Sequence, residues 1–169
     1  ATYNFKINNG SVDCLRVDTS DRSILPSQAG FIAGINSAAS WTAFTAATWN
    51  IIPCSVTSLN VGNCYNTSTY SFTAPVAGTY IFVASMYLNA TSSSYMYPLF
   101  WVNGSPYLRH PNSNCPYRVR GYSETVPDGQ IQEVYVLSAS DYVQYYCYAS
   151  AAAATYYPAY SYFAGFQIG

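Results

Sequence analysis

The chain has one histidine, His110, within the segment Arg109-His110-Pro111, and this is its only imidazole group for acid–base chemistry. A Ser-His-Asp arrangement around His110 is compatible with the sequence. However, the sequence contains no nucleophile-elbow motif, no phosphate-binding glycine loop and no metalloprotease motif. We therefore predict that the protein is not an enzyme and needs no cofactor.

Five cysteines lie at irregular spacing, without a Cys-x-x-Cys pair: Cys14, Cys54, Cys64, Cys115 and Cys147. Such a set is typical of free thiols in a reducing compartment, and a bridge between Cys54 and Cys64 is the alternative. The paired ligand spacing that zinc needs is missing. Glu124, Asp128, Glu133 and Asp141 are too scattered for a tight calcium site. We therefore predict no metal site.

Charge is scarce and tyrosine is abundant. Only 8% of the residues are charged, whereas 50% are hydrophobic and 19 are tyrosine, which is the reverse of a disordered composition. A net charge of −1 without a basic run gives no support for nucleic-acid binding. No apolar stretch reaches the roughly 18 residues of a membrane helix, so we expect no membrane insertion. A surface with so little charge is expected to be covered by another subunit.

The chain divides by composition near residue 27. Residues 1–27 hold many of the charges and contain an Asn8-Asn9-Gly10 turn signal before an alternating strand pattern, so we predict a short β arm. Residues 28–169 show short runs of Val, Ile, Thr and aromatic residues, separated by Gly, Pro, Asn and Ser. The predicted strands are 29–35, 48–52, 69–74, 78–89, 97–103, 117–124, 130–138, 142–149 and 160–168. This spacing indicates an all-β sandwich or jelly roll.

Three of these strands are apolar on both faces. In 79–88, Tyr80 and Phe82 point to one side while Ile81, Val83 and Tyr87 point to the other. Strands 142–149 and 160–168 repeat the pattern. Since a solvent-facing strand should carry polar residues on one side, these strands indicate an oligomer. The candidate subunit-interface residues are Ile81, Val83, Tyr87, Tyr145 and Phe163.

The segment from Asn60 to Phe82 resembles the signature of C1q-like domains. Its fixed positions are occupied by Asn60, Tyr65, Phe72, Gly78, Tyr80 and Phe82. Towards the C-terminus, Ser161-Tyr-Phe163-Ala-Gly165-Phe166 is similar to the closing strand of that family. Cys54 and Ala84 stand where the family has aromatic residues. The resemblance implies a C1q/TNF-like jelly-roll sandwich of about ten strands that forms a homotrimer. It assigns fold roles to eight signature residues: Asn60, Tyr65, Phe72, Gly78, Tyr80, Phe82, Phe163 and Gly165.

The arm carries a second resemblance. The segment Leu15-Arg16-Val17-Asp18-Thr-Ser-Asp21-Arg22 is similar to segments that precede knob domains in bacteriophage tail-fibre and other virion proteins, with Asp21 at a usual glycine position. It implies that Arg16, Asp18 and Arg22 dock the arm onto other virion proteins. No positively charged start followed by an apolar stretch is visible, so we expect no secretory signal and a virion location after assembly in the host cytoplasm.

These resemblances favour a non-enzymatic trimeric virion protein whose knob acts as a fibre tip or host-attachment module. The family's strand order implies that loops 90–96, 125–129 and 150–159 lie at the far apex. Tyrosine suits contacts with a host-surface protein or glycan. The candidate receptor-binding residues are Tyr95, Tyr97, Asp128, Tyr156 and Tyr157, with packing inside the trimer as the alternative for the tyrosines.

Two other hypotheses stay open from the sequence. A trimeric capsid decoration protein is favoured by the absence of a long fibre shaft. A secreted C1q-like recognition protein is favoured by four Asn-x-Ser/Thr glycosylation patterns, such as Asn66-Thr-Ser and Asn89-Ala-Thr. Such patterns arise easily in a chain rich in Asn, Ser and Thr.

Overall fold

A computed structural model of the chain describes residues 3–8, 13–18, 23–24, 28–36, 41–89, 95–106, 119–120, 129–151 and 155–169. Regular structure in these residues is entirely β, and none of them belongs to a helix long and apolar enough to span a membrane. In chain order, strands β1 to β16 are Tyr3–Asn8, Asp13–Asp18, Ser23–Ile24, Gly30–Gly34, Thr42–Ala43, Thr48–Ile51, Val56–Val61, Tyr65–Asn66, Ser71–Thr73, Gly78–Asn89, Tyr95–Val102, Ser105–Pro106, Val119–Arg120, Ile131–Leu137, Tyr142–Ala149 and Thr155–Gln167.

The strands form three antiparallel sheets. Strands β1, β2 and β3 pair in that order in a small sheet of their own. A six-stranded sheet has the order β14-β10-β16-β4-β7, with β5 paired to β16. A seven-stranded sheet has the order β12-β11-β15-β9-β8, with β13 paired to β11 and β6 to β15. The two larger sheets share one hydrophobic core, so they form a sandwich.

Strand alternation explains how the sandwich closes. Along β15, Val143, Tyr145 and Cys147 are buried while their neighbours are partly exposed. Along β10, Tyr80 and Phe82 point inward in the same way from the other sheet. Because successive side chains in a strand alternate between faces, each central strand supplies one apolar row to the core. The core is therefore a layer of rings and aliphatic side chains between the sheets.

The all-β jelly-roll expectation is confirmed, with more strands than predicted. Strands β10 and β15 have the predicted bounds 78–89 and 142–149. Strand β16 begins at Thr155, whereas the sequence predicted a start at residue 160, and β7 was not predicted. Much of the excess comes from four strands of the sandwich that have only two residues each: β5, β8, β12 and β13.

Two predicted interface residues lie in the wrong place for that role. Tyr145 and Phe163 are both 0% exposed and belong to the core of a single chain. Their ring centroids are 6.0 Å apart, between the two sheets. Because no part of either side chain reaches the surface, neither residue is available to a neighbouring subunit. The prediction is wrong because both faces of these strands are apolar, and periodicity alone does not tell which face points inward.

Candidate functional site

The signature residues from Asn60 to Phe82 are brought together around one turn and the core beside it. The Asn60 side chain accepts a hydrogen bond from the Tyr65 amide at 3.0 Å and donates one to the Tyr65 carbonyl at 2.9 Å. The Tyr65 hydroxyl donates to the Cys54 carbonyl at 2.9 Å, and the Tyr80 hydroxyl donates to the Val76 carbonyl at 2.8 Å. These bonds satisfy polar groups that the turn leaves beside the core.

An aromatic cluster fills the centre of the sandwich. Phe31 stacks on Tyr65 at 4.5 Å and meets Phe163 edge-on at 4.8 Å between ring centroids. Phe72 and Phe82 lie 5.1 Å apart in the same cluster. A Cβ at Gly165 would come within 2.5 Å of the Phe82 ring, so only glycine fits there. The signature positions are therefore packing residues of the fold.

The outer face of the six-stranded sheet is mainly aliphatic, and we call its aliphatic part the apolar face; Thr79 and Gln132 also lie on this side of the sheet. Paired residues of neighbouring strands share this face, among them Ile81 with Phe166 and Leu59 with Ile32. Val136 is 83% exposed and Ile32 is 37% exposed. The predicted interface residues Ile81 and Val83 lie on this face, whereas Tyr87 lies among the rings beside it, and all three are partly exposed. The members of the apolar face are Ile32, Val56, Leu59, Ile81, Val83, Val134, Val136, Ala164 and Phe166.

A second group of rings lies beside the apolar face. Trp41 stacks on Tyr87 at 5.5 Å and meets Tyr157 edge-on at 5.3 Å. Tyr160, which is 66% exposed, stacks on Tyr157 at 5.2 Å. Tyr157, predicted to contact a receptor from a loop, therefore lies in β16 among these rings.

The outer face of the seven-stranded sheet has a different character, and we call it the aromatic face. Tyr97, Tyr148 and Trp49 are register partners across β11, β15 and β6. Tyr148 lies 6.0 Å from Tyr97 and 5.6 Å from Trp49 between ring centroids. The members of the aromatic face are Trp49, Tyr95, Tyr97, Trp101, Tyr146 and Tyr148, all partly exposed.

The predicted receptor-binding residues do not form one site. Tyr95 and Tyr97 belong to β11 on the aromatic face, whereas Tyr157 lies on the opposite side of the sandwich. Tyr156 is only 6% exposed and packs on Phe44 at 4.9 Å, so its predicted receptor role is wrong. Asp128 lies outside the described residues. Sequence reasoning missed Trp49 as a site residue. Its strand, β6, pairs with β15, which contains Tyr148 and lies far from β6 in the chain.

The described thiols are poor nucleophiles. Cys54, Cys64 and Cys147 are buried, and Cys54 and Cys64 are not joined by a disulfide bond, so the alternative of a Cys54–Cys64 bridge is wrong. Burial raises the pKa of Cys54 to about 12 and also raises the pKa of Cys64. Since the thiolate is the reactive form, these groups stay protonated and inert near neutral pH. Cys14 and Cys115 are not among the residues whose side chains the structure describes.

Two carboxylates occur among the described side chains of the sandwich. Asp141 accepts hydrogen bonds from the Asn103 side chain at 2.8 Å and from the Ser138 amide at 2.7 Å, so it holds two turns together. Glu133 lies in β14, opposite Phe82 in the register. Within the described part of the chain, no three His, Cys, Asp or Glu residues are grouped to hold a metal ion. His110, Glu124 and Asp128 lie outside it.

One cavity opens at the signature turn. It has a volume of about 540 Å³ and is lined mainly by uncharged residues of β7, β8 and the turn between them, including Thr57, Asn60 and Cys64. The Asn60 side chain is already committed to the Tyr65 backbone. Asn60 is therefore not available to a ligand in this cavity.

The structure describes only some of the residues that the sequence predicts to dock the arm. Arg16 and Asp18 lie in β2, which pairs with β1 and β3, and Arg22 lies outside the described residues. The sequence predicts only a short β arm, and the structure gives it three paired strands.

Solved structures with the same architecture identify the sandwich. The globular domain of zebrafish complement 1qA superposes with a TM-score of 0.56 at 15% identity, covering 84% of this chain and 98% of that one. Murine APRIL at pH 5.0 gives a TM-score of 0.58 at 10% identity, covering 83% and 99%. The fold is a C1q/TNF-like jelly roll.

A third structure, Eiger TNF from S. frugiperda, gives a TM-score of 0.50 at 10% identity and covers 85% of this chain and 94% of that one. No protein-family model matches the sequence, and no curated protein is significantly similar to it. At these identities the likeness establishes the C1q/TNF-like fold. The function must be argued from the surfaces of this jelly roll.

Proposed function

We propose that the protein is a non-enzymatic homotrimeric binding and structural module, in which the apolar face covers a neighbouring copy. The observation that carries this proposal is the apolar face itself, where Val136, Ile32 and Phe166 expose hydrophobic side chains on one sheet. Monomeric proteins rarely leave such continuous apolar patches in water. A second copy of the chain is the partner that the sequence resemblance to trimeric C1q-like domains implies.

The lack of charge supports the same assembly. Residues 28–106 contain no Asp, Glu, Lys or Arg, and the apolar face includes none among its described members. Buried interface cores are depleted in charged residues, because an unpaired charge loses its hydration there. Closed rotational symmetry would bury one such face on every subunit without leaving an open chain of contacts.

Sedimentation equilibrium tests the trimer directly. The 18.5 kDa chain should sediment with about three times that mass. Ile32→Asp, which places a carboxylate on the apolar face, should give monomers. Val76→Asp is the matched control, since Val76 is 49% exposed in the turn before β10, and its trimer should persist. A monomeric wild-type protein would contradict the proposal.

We further propose that residues 1–27 act as a docking arm on a virion and that residues 28–169 are displayed as a fibre tip or host-attachment module. The resemblance of the Leu15 to Arg22 segment to virion proteins supports this role, and so does a separate three-stranded sheet in the arm. Immunogold labelling of particles from the source culture is the test. Label at the tail tip is expected, whereas particles without label would contradict the virion role.

A further inference from the structure

The two outer faces of the sandwich differ in chemistry. The apolar face is built mostly of Ile, Val and Leu, which suit burial against another protein surface. The aromatic face is built of Tyr and Trp, which combine flat apolar rings with a hydrogen-bonding edge. Because the faces lie on opposite sides of the sandwich, a trimer that buries the apolar face leaves the aromatic face directed outward.

The rings of the aromatic face form a continuous surface. Tyr95 lies 5.1 Å from Tyr97 and 6.2 Å from Tyr148, and Trp49 lies 5.9 Å from Trp101 between centroids. Trp101 in turn stacks on Tyr146 at 4.3 Å. The rings extend over three neighbouring strands and from Tyr95 to Trp101 along β11, which corresponds to about 10 Å by about 20 Å. This is room for a short oligosaccharide laid flat on the sheet.

The surroundings of the rings are polar but uncharged. Gln144 and Tyr142 share this face, and Thr73 of β9 is the register partner of Tyr142. Thr48 and Asn50 alternate with Trp49 along β6 and therefore point to the other side of the sheet. Among the described side chains of the seven-stranded sheet, none is Asp, Glu, Lys or Arg. Arg120 lies opposite Tyr95 in the register, at the border of the face. The centre of the surface therefore offers ring contacts and neutral hydrogen-bonding groups.

We infer that the aromatic face is a binding site for a neutral oligosaccharide. A sugar ring presents C–H groups to an aromatic ring and hydroxyl groups to the amides and phenols around it, and it needs no ionic partner. Single-stranded nucleic acid also stacks on aromatic rings, but it requires a positively charged groove, which the described face does not have. The inference depends on the proposed trimer only for the outward direction of this face.

The test is affinity electrophoresis of the full chain in native gels that contain one neutral polysaccharide each: laminarin, dextran, xylan or galactomannan. At least one of these should retard the wild-type protein. Titration with oligosaccharides of the retarding polysaccharide, followed by tryptophan fluorescence, should then give a saturable dissociation constant. Retardation by none of the four would overturn the inference.

Variants locate the site. Trp49→Ala and Tyr148→Ala should each weaken binding about tenfold, since each removes one ring contact. The matched control is Trp41→Ala, which removes a partly exposed tryptophan from the opposite side of the sandwich and should leave binding unchanged. Equal loss of binding in Trp41→Ala would overturn the assignment to the aromatic face.

Competing ligands are included in the same experiment. Alginate tests for an acidic polysaccharide, and a peptide library tests for a protein partner. If the protein is retarded only by alginate, or captures only peptides, a neutral sugar is not its ligand. Sedimentation of each variant separates this inference from the trimer proposal. A trimeric Trp49→Ala protein that still binds sugar with wild-type affinity contradicts this site alone, whereas a monomeric wild-type protein that binds sugar contradicts the trimer alone.

Discussion

Tyr145 carries a hydroxyl group whose burial should cost stability. Its side chain is fully buried between the sheets, and its hydroxyl has no hydrogen-bond partner among the residues that the structure describes. Burial accordingly raises the pKa of Tyr145 well above its ordinary value. Tyr65 is the contrasting case, because its buried hydroxyl donates to the Cys54 carbonyl at 2.9 Å. Replacing each tyrosine by phenylalanine removes the same atom from two different environments.

The expected changes have opposite signs. An unsatisfied buried polar group costs about 1–3 kcal/mol, so Tyr145→Phe recovers that penalty. The small void left by the hydroxyl offsets part of the gain, by roughly 0.5–1 kcal/mol. We therefore expect Tyr145→Phe to stabilise the fold by about 1 kcal/mol. Tyr65→Phe leaves the Cys54 carbonyl without its donor and should destabilise the fold by about 1–2 kcal/mol.

Urea unfolding followed by circular dichroism measures both variants. All proteins should be compared at one subunit concentration, because association contributes to the apparent stability of an oligomer. The midpoint should rise for Tyr145→Phe and fall for Tyr65→Phe, with unchanged slopes. A loss of 1 kcal/mol or more in Tyr145→Phe would show that its hydroxyl is hydrogen-bonded in solution, and would refute the reasoning.

Two further predictions follow from the core. Gly165→Ala should destabilise the fold by about 1–3 kcal/mol through overpacking, since the new Cβ would meet a core ring at 2.5 Å. Gly34→Ala is the control, because its new Cβ would have its nearest contact at 3.9 Å. Its stability should stay within about 0.5 kcal/mol of the wild-type value in the same urea assay. A similar loss at both glycines would contradict the packing argument. Burial raises the pKa of Cys54 from 9.0 to about 12, so folding favours the protonated thiol. The free energy of folding that this preference contributes is fully present below pH 9. It is lost as the pH rises through 12. At pH 8, Cys54, Cys64 and Cys147 should react with Ellman's reagent only after unfolding, and rapid labelling of more than two of the five thiols in the native protein would contradict their burial.

The sequence predicted the long central strands well, because their patterns are strong. The bounds of β10 and β15 follow from long runs of mostly aliphatic and aromatic residues between turn residues. Strand β7, Val56–Val61, was missed because polar residues separate its aliphatic ones and it pairs at the sheet edge. An edge strand depends on its partner β4 more than on its own composition.

Side-chain placement was harder to predict than strand position. The alternation in β15 and β16 showed two apolar rows but gave no sign of which row faced the other sheet. Tyr145 and Phe163 were consequently placed at the subunit interface, although both fill the core. The sequence indicated single rows of the aromatic face, such as Tyr146 and Tyr148, but not how the rows of three strands join. The face exists because Trp49 and Tyr97 pair with the same residue of β15 from strands far apart in the chain.

The near absence of charge also determines how the jelly roll should respond to its medium. Among the described side chains of the sandwich, Glu133 and Asp141 are the only acidic or basic ones. Dissolved ions weaken contacts between exposed charges, and the described part of the sandwich offers only these two carboxylates for them to screen. Salts that are excluded from protein surfaces strengthen apolar contacts instead. The sandwich should therefore keep its fold at low ionic strength, and sulfate should strengthen the contacts of the proposed trimer.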